Sequence, residues 1–76
     1  MPEVEDLAFK IIAAFEDEYF LIAKRNAFNA VFNKYLSLVD PQGAMDPYDA
    51  SVELGYSHRA EFNEMIKELK EQSLIS

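Results

Sequence analysis

The most constraining feature of this chain is a stretch from Glu3 to Asp40 that contains neither glycine nor proline. These two residue types interrupt helices most strongly, so their absence leaves a long segment free to be helical. Apolar residues recur at helical intervals in its first half: Val4, Leu7, Ala8, Ile11, Ile12, Phe15, Tyr19 and Ile22. The spacing predicts an N-terminal amphipathic helix within residues 1–25.

A second apolar stripe indicates that the stretch does not pack as one unit. It consists of Phe28, Val31, Phe32, Tyr35, Leu36 and Val39, and it is displaced from the first by more than about 100° on a helical wheel. This predicts two helices, or one helix whose halves pack against different neighbours. Lys24 and Arg25 mark the change and suit the C-terminal end of the first helix. Asn26, Asn29 and Asn33 form a polar stripe that we interpret as facing water rather than a ligand.

Residues 46–76 predict a short helix, a tight turn and a longer helix. Asp46 is a good N-cap and Pro47 suits the first helical position. Gly55 is predicted to end this helix in the left-handed conformation. Tyr56 is then expected to return its ring towards the core, and Ser57 to cap a last helix that extends from residue 58 to about residue 72.

The last helix divides into three sectors on a helical wheel. The apolar sector, which needs a core, contains Phe62, Met65, Ile66 and Leu69. The second contains Arg59, Asn63, Lys67 and Lys70, and the third contains Glu61, Glu64, Glu68 and Glu71. A solvated charged surface and a binding role for the second sector explain this pattern equally well.

The segment Leu54-Gly55-Tyr56-Ser57, followed by Ala60, Phe62, Ile66 and Lys67, resembles the second helix, turn and recognition helix of helix-turn-helix regulators, particularly the AraC type. Leu69 and Ser73-Leu74-Ile75-Ser76 are similar to the end of a winged-helix recognition helix, where an apolar pair begins the wing. The resemblance implies that the last helix enters the DNA major groove. Arg59 and Asn63 would then reach base edges, and Lys67 and Lys70 would meet phosphates.

Composition limits the class of protein. A chain of 76 residues makes one domain, and its six Phe and four Tyr are enough for a packed core. It has no cysteine, which excludes disulfides and thiolate zinc sites. The absence of a long apolar run and the acidic first residues make a cytoplasmic protein without membrane contact the expectation. The net charge of −7 suits a protein partner with a basic surface better than a nucleic acid.

No group of residues has the pattern of a catalytic centre. His58 is the only histidine, and with Glu61 it supplies two potential metal ligands, fewer than a site requires. We interpret this pair as surface or capping residues, and Glu16-Asp17-Glu18 as a solvated charge run. We therefore expect no enzymatic activity, no cofactor and no metal.

The sequence as a whole predicts an all-α single domain, residues 1–76, with four helices. Residues 26–76 are expected to form a helix-turn-helix-like trihelical unit, and the first helix to brace it or to mediate self-association. Tyr19, Phe20, Leu21 and Phe28 are the candidate self-association residues, which leaves a homodimer open. The favoured function is a small acidic regulatory or inhibitory protein that binds another protein. The alternative is a helix-turn-helix DNA-binding transcriptional regulator.

Overall fold

The computed structural model describes residues 2–17 and 22–76, and these residues form four α-helices and no strand. The helices are α1 (Pro2–Phe15), α2 (Ile22–Leu36), α3 (Pro47–Ser57) and α4 (Arg59–Glu71). The prediction of a small all-α fold with four helices is confirmed. Helix α3 packs against α1 and α4, and α2 packs against α4 and α3.

One apolar core joins the four helices. The apolar sector predicted for α4 is buried, and the largest fully buried side chains include Phe28, Phe62, Ile11 and Leu54. Both apolar stripes of residues 4–39 therefore contribute to the same intramolecular core. Phe28 packs against Phe15 and Phe32 with tilted rings, at ring-centroid distances of 5.8 and 5.4 Å. Because its side chain is fully buried, Phe28 is removed from the predicted self-association residues.

Helix α1 ends earlier than its apolar stripe predicts. It ends at Phe15, and Arg25 lies in the first turns of α2 rather than at the end of α1. The guanidinium of Arg25 still serves the C-terminus of α1, because it donates hydrogen bonds of 2.7 Å to the carbonyl oxygens of Phe15 and Asp17. Ile22, predicted to lie on the first stripe, is 79% exposed. Tyr19, Phe20 and Leu21 lie outside the described residues.

Helix α3 begins as predicted. The carboxylate of Asp46 accepts hydrogen bonds from the amides of Tyr48 and Asp49 at 3.0 and 3.4 Å, with proline at the first helical position. The predicted end is wrong, since Gly55 lies inside the helix and is buried. A Cβ at this position would lie 2.4 Å from Cγ1 of Val4. Glycine is therefore required here because α1 approaches the backbone of α3 closely, not because the helix ends.

The connection between α3 and α4 is shorter than the turn predicted for Gly55, Tyr56 and Ser57. Only His58 separates the two helices, and its side chain makes no capping hydrogen bond. The Ser57 hydroxyl donates to the carbonyl oxygen of Glu53 at 2.7 Å instead of capping α4. Tyr56 is 51% exposed, so the expectation that its ring enters the core is also wrong.

Helix α4 ends in a Schellman turn. Ser73 has a positive φ of 59°, and the amides of Leu74 and Ser73 donate to the carbonyl oxygens of Leu69 and Lys70 at 2.8 and 3.0 Å. The turn directs Leu74 and Ile75 into the core, where both are buried. The apolar pair that resembles the start of a wing is therefore part of this core.

Candidate interaction surfaces

The four residues of the predicted DNA-contacting sector lie on one side of α4. At about 100° per residue, Arg59, Asn63, Lys67 and Lys70 fall within a sector of about 80°, and we call this sector the basic stripe. Asn63, Lys67 and Lys70 are exposed, and Arg59 is partly buried. The structure therefore brings the predicted residues together on a single surface.

Arg59 is held by contacts within the chain. Its Nη2 forms an ion pair with Oε1 of Glu3, on α1, at 2.5 Å. Its Nε donates to Oδ1 of Asn63 at 3.1 Å, and its guanidinium lies 5.8 Å from the centroid of the Phe62 ring. An exposed ion pair of this kind contributes only about 0–1 kcal/mol, but it neutralises the first cation of the stripe. Lys67 and Lys70 have no ion-pair partner in the part of the chain that the structure describes.

Glu68, which the wheel places in the acidic sector of α4, connects two helices. Its Oε1 accepts a hydrogen bond from Nζ of Lys34, on α2, at 2.8 Å, and its Oε2 accepts one from the Tyr35 hydroxyl. These bonds lower the pKa of the Glu68 carboxyl. The same hydrogen bonds to Glu68 have the opposite effect on its partners and raise the pKa of both Lys34 and Tyr35. This cluster therefore connects α2 with α4.

A second surface lies where α1 and α3 meet, and sequence reasoning missed it. We call it the acidic–aromatic face, and it consists of Glu5, Phe9, Asp49, Glu53 and Tyr56. The Tyr56 hydroxyl donates to Oε1 of Glu5 at 2.5 Å, and this bond raises the pKa of the tyrosine. Glu5 and Phe9 are one turn apart on α1, and the other three residues follow one another along one side of α3. The two helices therefore present adjoining surfaces.

The acidic–aromatic face combines negative charge with exposed aromatic rings. Phe9 is 70% exposed and Tyr56 is 51% exposed, and the other three residues of the face are carboxylates. Exposed aromatic residues surrounded by polar groups mark interaction surfaces. One sequence signal was available: Phe9 is the large apolar residue of α1 that does not fall on the buried stripe.

A cleft of about 570 Å³ lies between α2 and the segment that connects it to α3. Phe15, Phe32 and Leu36 supply apolar lining from the helices, and Asn29 and Asn33 border them. The opposite wall includes Asp40, whose carboxylate accepts hydrogen bonds from the amides of Ala44 and Met45 at 2.8 and 3.0 Å. Two members of the polar stripe interpreted as facing water thus border a concave, partly apolar site.

The described residues include no group of three or more His, Cys, Asp or Glu side chains that could hold a metal ion. His58 Nδ1 lies 3.0 Å from the Ser57 hydroxyl, as in a surface pair. Within residues 2–17 and 22–76, each helix is too short or too polar to cross a membrane.

No protein-family model, no curated protein and no solved structure matches this chain. Its function is therefore inferred from the chemistry of its surfaces.

Proposed function

We propose that this chain is a small, acidic, non-enzymatic regulatory or inhibitory protein that binds a protein partner with a basic surface. The observation that carries the proposal is the acidic–aromatic face, which joins three carboxylates to the exposed rings of Phe9 and Tyr56. The net charge of −7 has the same sign as this face, so the field of the whole molecule attracts the same partner.

Each component of the face has a separate role in the proposed complex. Burial of a large apolar side chain such as Phe9 contributes about 1.5–3 kcal/mol. Asp49 and Glu53 meet Lys or Arg of the partner at the rim, where charge mainly accelerates association and selects the partner. Tyr56 offers an aromatic surface whose hydroxyl is already oriented by Glu5, which lowers the entropy lost on binding.

A matched pair of double variants tests the proposal. The face variant combines Phe9→Ser and Glu53→Lys. The control combines Leu38→Ser and Glu64→Lys, which make comparable chemical changes at exposed positions outside the face. Immobilised wild type, face variant and control are incubated with host extract, and captured proteins are quantified by mass spectrometry.

We expect a basic protein that the wild type and the control retain and that the face variant loses. Its association rate with the wild type should decrease as salt is added. Equal recovery by the face variant and the wild type would contradict the assignment of the face, and recovery of the bait alone would contradict the protein-binding function.

The basic stripe favours the alternative function, a helix-turn-helix DNA-binding regulator. Asn63, Lys67 and Lys70 share one exposed side of α4, as a recognition helix requires. The test is fluorescence anisotropy of labelled duplex DNA, including fragments upstream of the gene, at about 50 and 200 mM salt. This function would be established if the wild type binds DNA and the Lys67→Ala, Lys70→Ala variant binds it more weakly. The affinity of the variant should also depend less steeply on salt. Our main proposal predicts no binding at the lower salt.

A homodimer remains a second proposal about assembly. Ile22 is 79% exposed, so its apolar side chain is available to a second copy. In the sequence it directly follows the candidate self-association residues Tyr19, Phe20 and Leu21. Light scattering over a concentration series tests it. A molecular mass of 8.7 kDa at every concentration would remove the dimer, whereas a mass that doubles and is halved again by Ile22→Ser would support it.

A further inference from the structure

We propose that the cleft beside α2 binds an extended, cationic segment of a partner polypeptide, with Asn29 and Asn33 pairing with its main chain. This site shares no residue with the acidic–aromatic face and does not depend on it. The cleft adds a second mode of recognition, in which the main chain of the partner is bound as well as its side chains.

The first observation is the state of the two amides. Asn29 is partly buried, Asn33 is exposed, and both line the cleft. Neither side chain hydrogen-bonds to a residue within 2–17 or 22–76. Each carboxamide offers an acceptor oxygen and a donor NH2 group, which are the complements of the N–H and C=O groups of an unpaired main chain.

The second observation is their spacing. Asn29 and Asn33 are four residues apart on α2, which corresponds to about 6 Å along the helix axis. In an extended chain, residues that point the same way are two apart and separated by about 6.6–6.8 Å. The spacing of two successive peptide groups that face the same way in an extended segment therefore agrees with the spacing of the Asn29 and Asn33 side chains. Within a regular helix the main-chain groups are already paired, so a helical ligand cannot use them.

The third observation concerns the ligand's side chains. Phe15, Phe32 and Leu36 supply an apolar wall beside the amides, which suits one apolar side chain of the segment. Asp40 is the charged residue of the lining, and its carboxylate is held in place by the amides of Ala44 and Met45. With this anion and no lining cation, the cleft favours Lys or Arg close to the apolar position.

The experiment uses blocked synthetic heptapeptides with a central Leu or Phe and a Lys or Arg placed two or three residues later. A matched pool has Glu in place of the basic residue. Each pool is titrated into the 15N-labelled full chain, and backbone amide shifts are followed by NMR. The variant is Asn29→Ala with Asn33→Ala, and the control is Asn26→Ala, an exposed asparagine on the same helix that does not line the cleft.

We expect saturable shifts at residues around the cleft with the basic pool and much weaker shifts with the acidic pool. The Asn29→Ala, Asn33→Ala variant should lose affinity about tenfold or more, because two hydrogen bonds are removed, while Asn26→Ala binds like the wild type. Alanine favours helix, so the circular dichroism of the variant should be unchanged. The proposal is overturned if the basic pool causes no shifts, if the shifts map elsewhere, or if the double variant binds as well as the wild type.

Discussion

Gly55 determines how closely α1 can approach α3. A Cβ at this position would lie 2.4 Å from Cγ1 and 3.3 Å from Cγ2 of Val4, which is itself only 1% exposed. Neither methyl group of Val4 can move into solvent, because this β-branched side chain is surrounded by core residues. A substitution here therefore requires displacement of α1 rather than rotation of one side chain.

We expect Gly55→Ala to lower the free energy of unfolding by about 1–2 kcal/mol. Overpacking costs about 1–3 kcal/mol, and the better helix propensity of alanine returns up to about 1 kcal/mol. Urea denaturation of a double-mutant cycle with Val4→Ala measures the coupling. In the Val4→Ala background the clash is gone, so Gly55→Ala should become neutral or stabilising. A stabilising effect in the wild-type background would show that α1 does not approach as described.

The same residue shows what can be read from sequence at this scale. The start of α3 was predictable because Asp46 and Pro47 act on amides within three residues of themselves. Gly55 was misassigned because the sequence shows the same residue type whether a glycine ends a helix or allows another helix to pack closely against it. Only the position of Val4, some fifty residues away in the chain, distinguishes them. Helix α4 is followed by a residue in the left-handed region, and this residue is Ser73 rather than glycine.

At the scale of helices, Arg25 joins the end of α1 to the beginning of α2. Its two guanidinium nitrogens donate to the carbonyl oxygens of Phe15, the last residue of α1, and of Asp17, two residues further on. Carbonyl groups in the last turn of a helix need such partners from outside the helix. The apolar stripe of the first helix continues in sequence as far as Ile22, so periodicity alone could not place this end. The carbonyl oxygen of the last residue of α1 accepts its hydrogen bond from a side chain ten residues further along the chain.

Arg25→Ala should therefore lower the free energy of unfolding by about 1–2 kcal/mol, since charge-assisted hydrogen bonds to carbonyl oxygens are lost. Arg25→Lys should recover only part of this, because an ammonium does not reproduce the planar fork that spans two oxygens. Lys24→Ala, an adjacent exposed cation, is the control. Chemical denaturation of the four proteins gives the comparison, and equal stability of the two alanine variants would refute this role.

An ionised Glu68 adds hydrogen bonds to the contact of α2 with α4. Bonds from Lys34 and Tyr35 lower its pKa in the folded chain below the ordinary carboxyl value of 4.5. Between the two values the unfolded chain binds the extra proton, so stability rises with pH across this interval. The contribution is complete above the ordinary value and is lost as the pH falls through the folded pKa.

Glu68→Gln should therefore have a lower urea midpoint than the wild type near neutral pH, and the difference should shrink as the pH falls below about 4. Glu64→Gln, on an exposed position of the same helix, is the control and should change the profile little. A difference between the wild type and Glu68→Gln that persists unchanged at low pH would show that the loss is one of packing and not of the charged hydrogen bonds.

At the scale of the whole molecule, charge and size act together. The sequence has 14 acidic and 7 basic residues, and the described chain measures 31 × 26 × 18 Å. The screening length is about 30 Å at 0.01 M salt and about 8 Å at 0.15 M. At the lower salt every charge therefore acts on every other, while at the higher salt only neighbours interact. The all-α fold class follows from local apolar periodicity and was predictable from the sequence. The interaction surfaces depend on which helices lie next to each other, which periodicity does not give.

Excess negative charge destabilises the compact state by self-repulsion, whereas the exposed pairs Glu3 with Arg59 and Lys34 with Glu68 are attractive and weakened by salt. Since exposed pairs of this kind contribute little to stability, repulsion should dominate. We expect the urea midpoint to rise when NaCl is increased from about 0.01 to 0.15 M. A variant with Glu64→Gln and Glu71→Gln should show a smaller rise, because two exposed acids are removed. A midpoint that falls with salt would mean that attractive contacts of the acidic residues outweigh their mutual repulsion. The partner would then be attracted by the acidic–aromatic face alone, and not by the net charge of the whole molecule.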